Sequence, residues 1–265
     1  MACGAKGRRF ESCHAHHEHL VVSPYLVRPA HLVDWYGMPQ PTYIIDFDST
    51  LITVESLGEL ARIALEGRSD SAEIMERVEA ICARGMSGEI GFEQSLQSRL
   101  KLFSANRQHI EKLITYLRDH VSPSALTNLE WFQSHSSSIY VISGGFAEYT
   151  LPITEYLGLR SDHIFANRFA YDGNGVIIGY DQTTLIGQPQ GKVKQVTALG
   201  LSGPVIVIGD GYTDYEIKVG GKADQFWAFT ETISRQEVVA KADRVLRNFH
   251  DVMEEPVLMK PAYSH

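Results

Sequence analysis

Two aspartates, Asp46 and Asp48, follow the apolar run Tyr43-Ile44-Ile45. A buried strand that opens onto a polar loop places such a pair at the strand's carboxyl end. Ser143-Gly144-Gly145 follows the apolar run Ile139-Tyr140-Val141-Ile142 in the same way. Gly209-Asp210-Gly211-Tyr212-Thr213-Asp214 follows Val205-Ile206-Val207-Ile208. Four carboxylates at neighbouring strand ends repel one another, and that cost falls when they share a divalent cation. A hard oxygen donor set that leaves room for water suits Mg2+. A phosphate dianion fits beside it, held by the Ser143 hydroxyl, the Gly144 and Gly145 amides and a lysine. One carboxylate can attack phosphorus and form an aspartyl-phosphate. Another, two residues on, can pass a proton to the leaving oxygen. The lysine neutralises charge spread over the equatorial oxygens. Lys192, which opens a helical pattern, can face the same crevice.

These groups need a scaffold that brings distant strand ends together. Strand patterns at 43–45, 138–142, 204–208, 225–229 and 244–246 alternate with helical patterns at 125–135, 147–157, 192–199, 212–219 and 234–241. Such alternation predicts a parallel sheet covered on both faces, with ligands at the carboxyl ends of the strands. Glycine stops follow Leu157 and Leu199. Directly after the first strand, apolar residues keep a helical period through 55–67, 74–82, 92–100 and 110–117, with no strand candidate among them. Residues 165–180 alternate around Asp172-Gly173-Asn174-Gly175, a hairpin turn signal. The expected fold is α/β, a Rossmann-like parallel core over 38–54 and 123–255 with a helical cap inserted at 55–122 and a small β-hairpin insertion.

Composition narrows the classes. The chain has 265 residues, 44% apolar and 21% charged, as in an ordinary globular protein. Its net charge of −8 argues against a non-specific nucleic-acid binder. No stretch approaches the roughly 18 apolar residues of a membrane helix. Cys3, Cys13 and Cys82 are too scattered for a disulfide framework, so a reducing, cytoplasmic setting is expected. Residues 1–37 stand apart. They hold Cys3, Cys13, His14, His16, His17 and His19 without the spacing of a structural zinc site. Phe10-Glu11-Ser12 after Arg9 is also what the T-arm of a transfer-RNA gene would encode, so translation is expected to begin at Met38 and the preceding segment to be disordered. Residues 256–265 read as a tail. Nucleotide fingerprints fail: Asp214 stands where a dinucleotide motif needs its third glycine, and Glu216 where a phosphate loop ending at Gly221-Lys222 needs its first.

In this order the motifs resemble the haloacid dehalogenase superfamily of phosphatases across residues 41–246. The resemblance implies Asp46 as nucleophile and Asp48 as general acid/base that also ligates metal through its carbonyl. It implies Ser143 as phosphoryl binder, Asp210 as Mg2+ ligand, and Asp214 as support for the metal shell and the lysine, so that Asp46, Asp48, Asp210 and Asp214 form the metal set. The chain is most similar to the phosphoserine phosphatase branch. Ser49-Thr50-Leu51 leads to Glu55, Gly91-Phe92-Glu93-Gln94-Ser95-Leu96 leads to Arg99, and Phe165-Ala166-Asn167-Arg168 follows the second motif. By this likeness Glu55 takes the substrate ammonium and Arg99 its carboxylate, with Phe92, Ser143 and Gly144 as further contacts. A zwitterionic amino acid needs one anion and one bidentate cation, which agrees. Gln190 departs from the branch, where a lysine often precedes the glycine; Lys192 is the first choice for that role and Lys194 the reserve. The expected activity is Mg2+-dependent hydrolysis of O-phospho-L-serine, the last step of serine synthesis. The alternatives are the same chemistry on another small phosphomonoester, or phosphoryl transfer to an alcohol acceptor. A non-enzymatic receiver module lacks such a helical insertion. The expected partner is a small-molecule phosphomonoester, with neither nucleic acid nor membrane; oligomeric state stays open.

Overall fold

Short β-branched and aromatic runs build the sheet. In the computed structural model, which describes residues 40–253 apart from 87 and 88, β1 (Thr42–Ile45) lies inside a six-stranded sheet. The expectations for residues 1–37 and 256–265 lie outside the described residues. The order is β3-β2-β1-β6-β7-β8, with β2 Ile139–Phe146, β3 Ile164–Asn167, β6 Val205–Gly209, β7 Gln225–Phe229 and β8 Arg244–Leu246. Every neighbouring pair in this sheet is parallel. Alternate residues of each central strand enter opposite cores, as the period of two requires. Tyr43, Ile45, Ile206 and Ile208 join one cluster, and Ile44, Val205 and Val207 the other. Continuous apolar strands are what a sheet covered on both faces demands. Among the described residues no helix is long and apolar enough to cross a membrane.

After β1 the chain forms an insertion of four helices: α1 (Ser56–Ala64), α2 (Ser71–Met86), α3 (Phe92–Leu100) and α4 (Arg107–Arg118). Asn106 starts α4 in a capping box with His109. The chain enters and leaves this insertion through two paired passages. Ile52 bridges Val121, the Thr53 amide donates to His120 O at 2.8 Å, and the Ser122 amide donates to Leu51 O at 2.9 Å. The remaining helices flank the sheet: α5 (Pro123–Thr127), α6 (Leu129–Ser134), α7 (Ala147–Tyr156), α8 (Gly191–Leu199), α9 (Tyr212–Val219), α10 (Gln236–Val239) and α11 (His250–Met253).

Two expectations are corrected. The helix expected over 125–135 is split into α5 and α6 at Asn128, whose side-chain amide donates to Ser124 O at 2.7 Å. A side chain that bonds the preceding turn competes with helix continuation. The hairpin expected over 165–180 is shorter. Residues 164–167 instead form β3, an edge strand parallel to β2, and only β4 (Phe169–Tyr171) and β5 (Ile177–Tyr180) pair as a hairpin. Alternation reveals a strand but not its partner, and the turn at 172–175 commits only the strands that flank it.

Candidate active site

The β1–β6 pairing joins two of the motifs. Ile45 lies opposite Ile208, and the Asp46 amide donates to Ile208 O at 2.9 Å. Asp46 and Asp210 therefore leave adjacent strand ends. Asp214 comes from the first turn of α9, where its Oδ2 accepts the Gly211 amide at 3.1 Å. Gly209 makes this approach feasible, because a Cβ there would lie 2.3 Å from Asp214 Cγ. Carboxylate oxygens of Asp46, Asp210 and Asp214 all lie within 4.8 Å of one another. A convergent, buried, all-oxygen set of this kind fits Mg2+. The Asp48 carboxylate is not among them; its Oδ1 accepts the Ser56 amide at 2.7 Å, at the start of α1.

Lys192 sits against two of these acids, with Nζ at 2.7 Å from both Asp46 Oδ1 and Asp214 Oδ1. Lys194 points elsewhere and donates to Gln188 Oε1 at 3.0 Å. The difference arises in the local backbone. Gln190 takes a left-handed conformation (φ 55°) before α8, and Gly191 lies so close to Ile186 that a Cβ would fall 2.2 Å from its carbonyl oxygen. The first turn of α8 then directs Lys192 inward, where it is buried. Burial alone would lower the Lys192 pKa, yet Asp214 and Asp46 outweigh it and hold the ammonium above the ordinary lysine range. Asp214 is pushed above the ordinary carboxylate range, first by burial and then by Asp46, while Lys192 pulls the other way. Asp48 is also raised, by burial first and then by Glu55.

Ser143 Oγ is buried and accepts the Gly145 amide at 2.9 Å, so the hydroxyl has its own proton to offer an incoming oxygen. Phe92 lies against Gly144: a Cβ on that glycine would meet the ring at 3.0 Å. The Gly144 carbonyl accepts Asn167 Nδ2 at 2.9 Å. Asn167 is fully buried and fixes the Ser143–Gly145 turn, a role that its place in a strand motif does not reveal.

Glu55 and Arg99 line one cavity of about 560 Å3 between α1, α2 and α3. Ser49, in the left-handed region (φ 55°), donates its hydroxyl to Glu55 Oε1 at 2.8 Å. Arg99 Nη1 donates to Cys82 Sγ at 3.7 Å. Arg235 lines the same cavity, and no sequence motif marks it. It pairs with the Asp210 carboxylate, donates to Asp210 O at 3.3 Å, and lies 3.7 Å from Glu55 Oε1. The signal for it is positional, since it ends the loop that follows β7, the strand beside β6.

Comparisons with known proteins agree with this geometry. A haloacid dehalogenase-like hydrolase model matches residues 44–217. Phosphoserine phosphatase of Homo sapiens is 30% identical over 213 residues, covering 79% of this chain and 90% of that protein. A phosphoserine phosphohydrolase-like protein from Francisella tularensis subsp. tularensis SCHU S4 superposes with TM-score 0.71 and 31% identity, over 80% of this chain and 98% of that one. A phosphoserine phosphatase solved as a phospho-aspartyl intermediate analogue superposes with TM-score 0.65 and 25% identity, over 81% and 98%. With its acidic cluster at the strand ends and the family match spanning the greater part of its length, the chain belongs to the haloacid dehalogenase-like hydrolases.

Proposed function

We propose that this protein hydrolyses O-phospho-L-serine to serine and phosphate, with Mg2+ and through an aspartyl-phosphate on Asp46. The observation that carries this reading is the cavity that joins Glu55 and Arg99, one anion and one cation able to bind bidentately, with Arg235 on its wall paired to Asp210 of the acidic centre. The similarity to phosphoserine phosphatases supports it. The helical insertion, residues 55–122, acts as the cap that recognises the amino-acid end. Serine synthesis is the pathway that this reaction completes.

An Asp46 carboxylate oxygen bonds to phosphorus as the bond to the seryl oxygen breaks. The seryl oxygen takes its proton from Asp48. Because the Ser56 amide occupies Asp48 Oδ1, the acidic proton belongs on Oδ2. Burial raises the Asp48 pKa, which keeps that proton available near neutral pH. Asp48 then removes a proton from water, and the water oxygen displaces Asp46 from phosphorus. Lys192 and the Ser143 hydroxyl hold the charge on the phosphoryl oxygens throughout. Asp46, Asp210 and Asp214, with the Asp48 carbonyl, would hold Mg2+, which supplies neutralisation of phosphoryl charge when bound.

The test is an assay with Mg2+ against O-phospho-L-serine, phosphothreonine, phosphoethanolamine and sugar phosphates. Phosphoserine is expected to give the highest kcat/KM. A clear preference for a sugar phosphate would remove the narrow assignment and leave the phosphatase chemistry standing. Arg99→Ala supplies the companion measurement. It should lower kcat/KM for phosphoserine by about 10²-fold, the value of a charge-assisted bidentate contact, and spare an aryl phosphate. Equal losses on both substrates would take Arg99 out of the carboxylate role.

A further inference from the structure

We propose that Glu231 is a positioning residue that anchors the passage out of the helical insertion and so keeps the Glu55–Arg99 cavity in register with the acidic centre. The proposal rests on the phosphatase reading above.

Glu231 lies two residues beyond the end of β7. Its Oε2 accepts the Ser122 hydroxyl at 2.9 Å and also the Ser124 hydroxyl, and its Oε1 accepts the Ser124 amide at 3.0 Å. These partners stand more than a hundred positions away in the chain. Hydrogen bonds to a carboxylate are stronger than neutral ones, and three converge here. Ser122 and Ser124 are buried and doubly used. Ser122 Oγ also accepts the Ala125 amide at 3.3 Å, and Ser124 Oγ accepts the Phe249 amide at 2.9 Å. The Ser122 amide in turn bonds to Leu51 O, in the passage that leads into the insertion. One carboxylate thus grips the way out of the insertion, and the Ser122 amide ties that passage to the way in.

The same loop reaches the chemistry. Four residues after Glu231, Arg235 contacts Glu55 beside the cavity and Asp210 in the acidic cluster. The loop therefore touches the way out of the insertion, the recognition anion and the catalytic centre. A substrate with a phosphate at one end and an ammonium and carboxylate at the other must engage all of them at once. A small loss of register lowers the fraction bound productively. An aryl phosphate has no second end to misplace, so it reports the centre alone.

The test compares wild type, Glu231→Ala and Glu231→Gln on O-phospho-L-serine and p-nitrophenyl phosphate, with thermal melting and amide hydrogen exchange across residues 119–126. For Glu231→Ala, kcat/KM on phosphoserine is expected to fall about tenfold, chiefly through KM, with p-nitrophenyl phosphate within about twofold of wild type. Glu231→Gln should fall between, because its amide oxygen still accepts the Ser124 amide while the second acceptor is lost. Exchange at Ser124 should quicken in Glu231→Ala and less in Glu231→Gln, which keeps the acceptor of that amide. Parallel loss on the two substrates overturns the proposal, since a merely structural tie would act on both, and so does no loss on either. Glu231→Gln preserves volume and decides the matter if Glu231→Ala does not fold. If the wild type itself favours another phosphomonoester, the phosphoserine reading fails at that point, and the same comparison on the favoured ester still judges Glu231.

Discussion

Asp46→Asn should lower turnover by about 10⁴-fold or more, the scale on which loss of a covalent nucleophile is felt. The substitution keeps shape and removes charge and nucleophilicity together. Asp46 Oδ1 lies 2.7 Å from Lys192 Nζ, and an asparagine oxygen can accept the same bond. Lys192 also keeps Asp214 at 2.7 Å, so the ammonium stays paired. One of three mutually repelling carboxylates disappears, which relieves the centre as much as it weakens the ion pair. The fold is therefore expected to survive, and melting should shift little. Acid-quenched wild type incubated with phosphoserine should carry the mass of one phosphoryl group on the peptide containing Asp46, and the variant should not. Turnover above about 1% of wild type in freshly prepared variant would place the nucleophile elsewhere.

Much of this centre is legible in the order of the amino acids. Its aspartate and Ser143 motifs each terminate an apolar run, and a parallel α/β sheet brings the ends of such runs together. The succession of motifs along the chain is thus enough to predict one shared crevice. What stays hidden depends on which strands are neighbours. Arg235 reaches Asp210 because β7 lies beside β6, and no local pattern announces that pairing. Asn167 reaches Gly144 because 164–167 joins β2 rather than the hairpin, although its alternation fits both. Glu231 reads as an ordinary loop acid until Ser122 and Ser124 are placed against it. The choice between Lys192 and Lys194 turns on one left-handed residue, Gln190, whose conformation its side chain does not advertise.

Lys192→Ala is the second large effect, and it should divide into two. The first part is catalytic. Losing one preorganised contact to the transferring phosphoryl group costs about 10²–10³ in kcat. Lys194→Ala, which removes only an exposed bond to Gln188, should stay near wild type. The second part is structural. Lys192 is buried and is the cation that bridges Asp46 and Asp214, and removing one partner of a buried ion pair costs about 3–5 kcal/mol. The sign with pH follows from linkage. Without the ammonium, the force that opposes the rise in the Asp214 pKa is gone, and burial beside Asp46 lifts that pKa further. The folded variant then binds more protons than the unfolded chain above the ordinary carboxylate range, so its stability falls as pH rises. With Mg2+ withheld, the melting temperature of Lys192→Ala should go on falling above about pH 7, where wild-type Asp214 loses its proton and the wild-type slope flattens. Adding Mg2+ should recover part of the loss, because the cation replaces charge that Lys192 supplied. Wild-type kcat in Lys192→Ala, with a loss in Lys194→Ala, would move the phosphate-binding lysine two residues along α8. A kcat loss with an unchanged pH slope would keep Lys192 at the phosphate but deny that it neutralises the buried acids. Kinetics and melting thus read the two roles of one ammonium separately on the same variant.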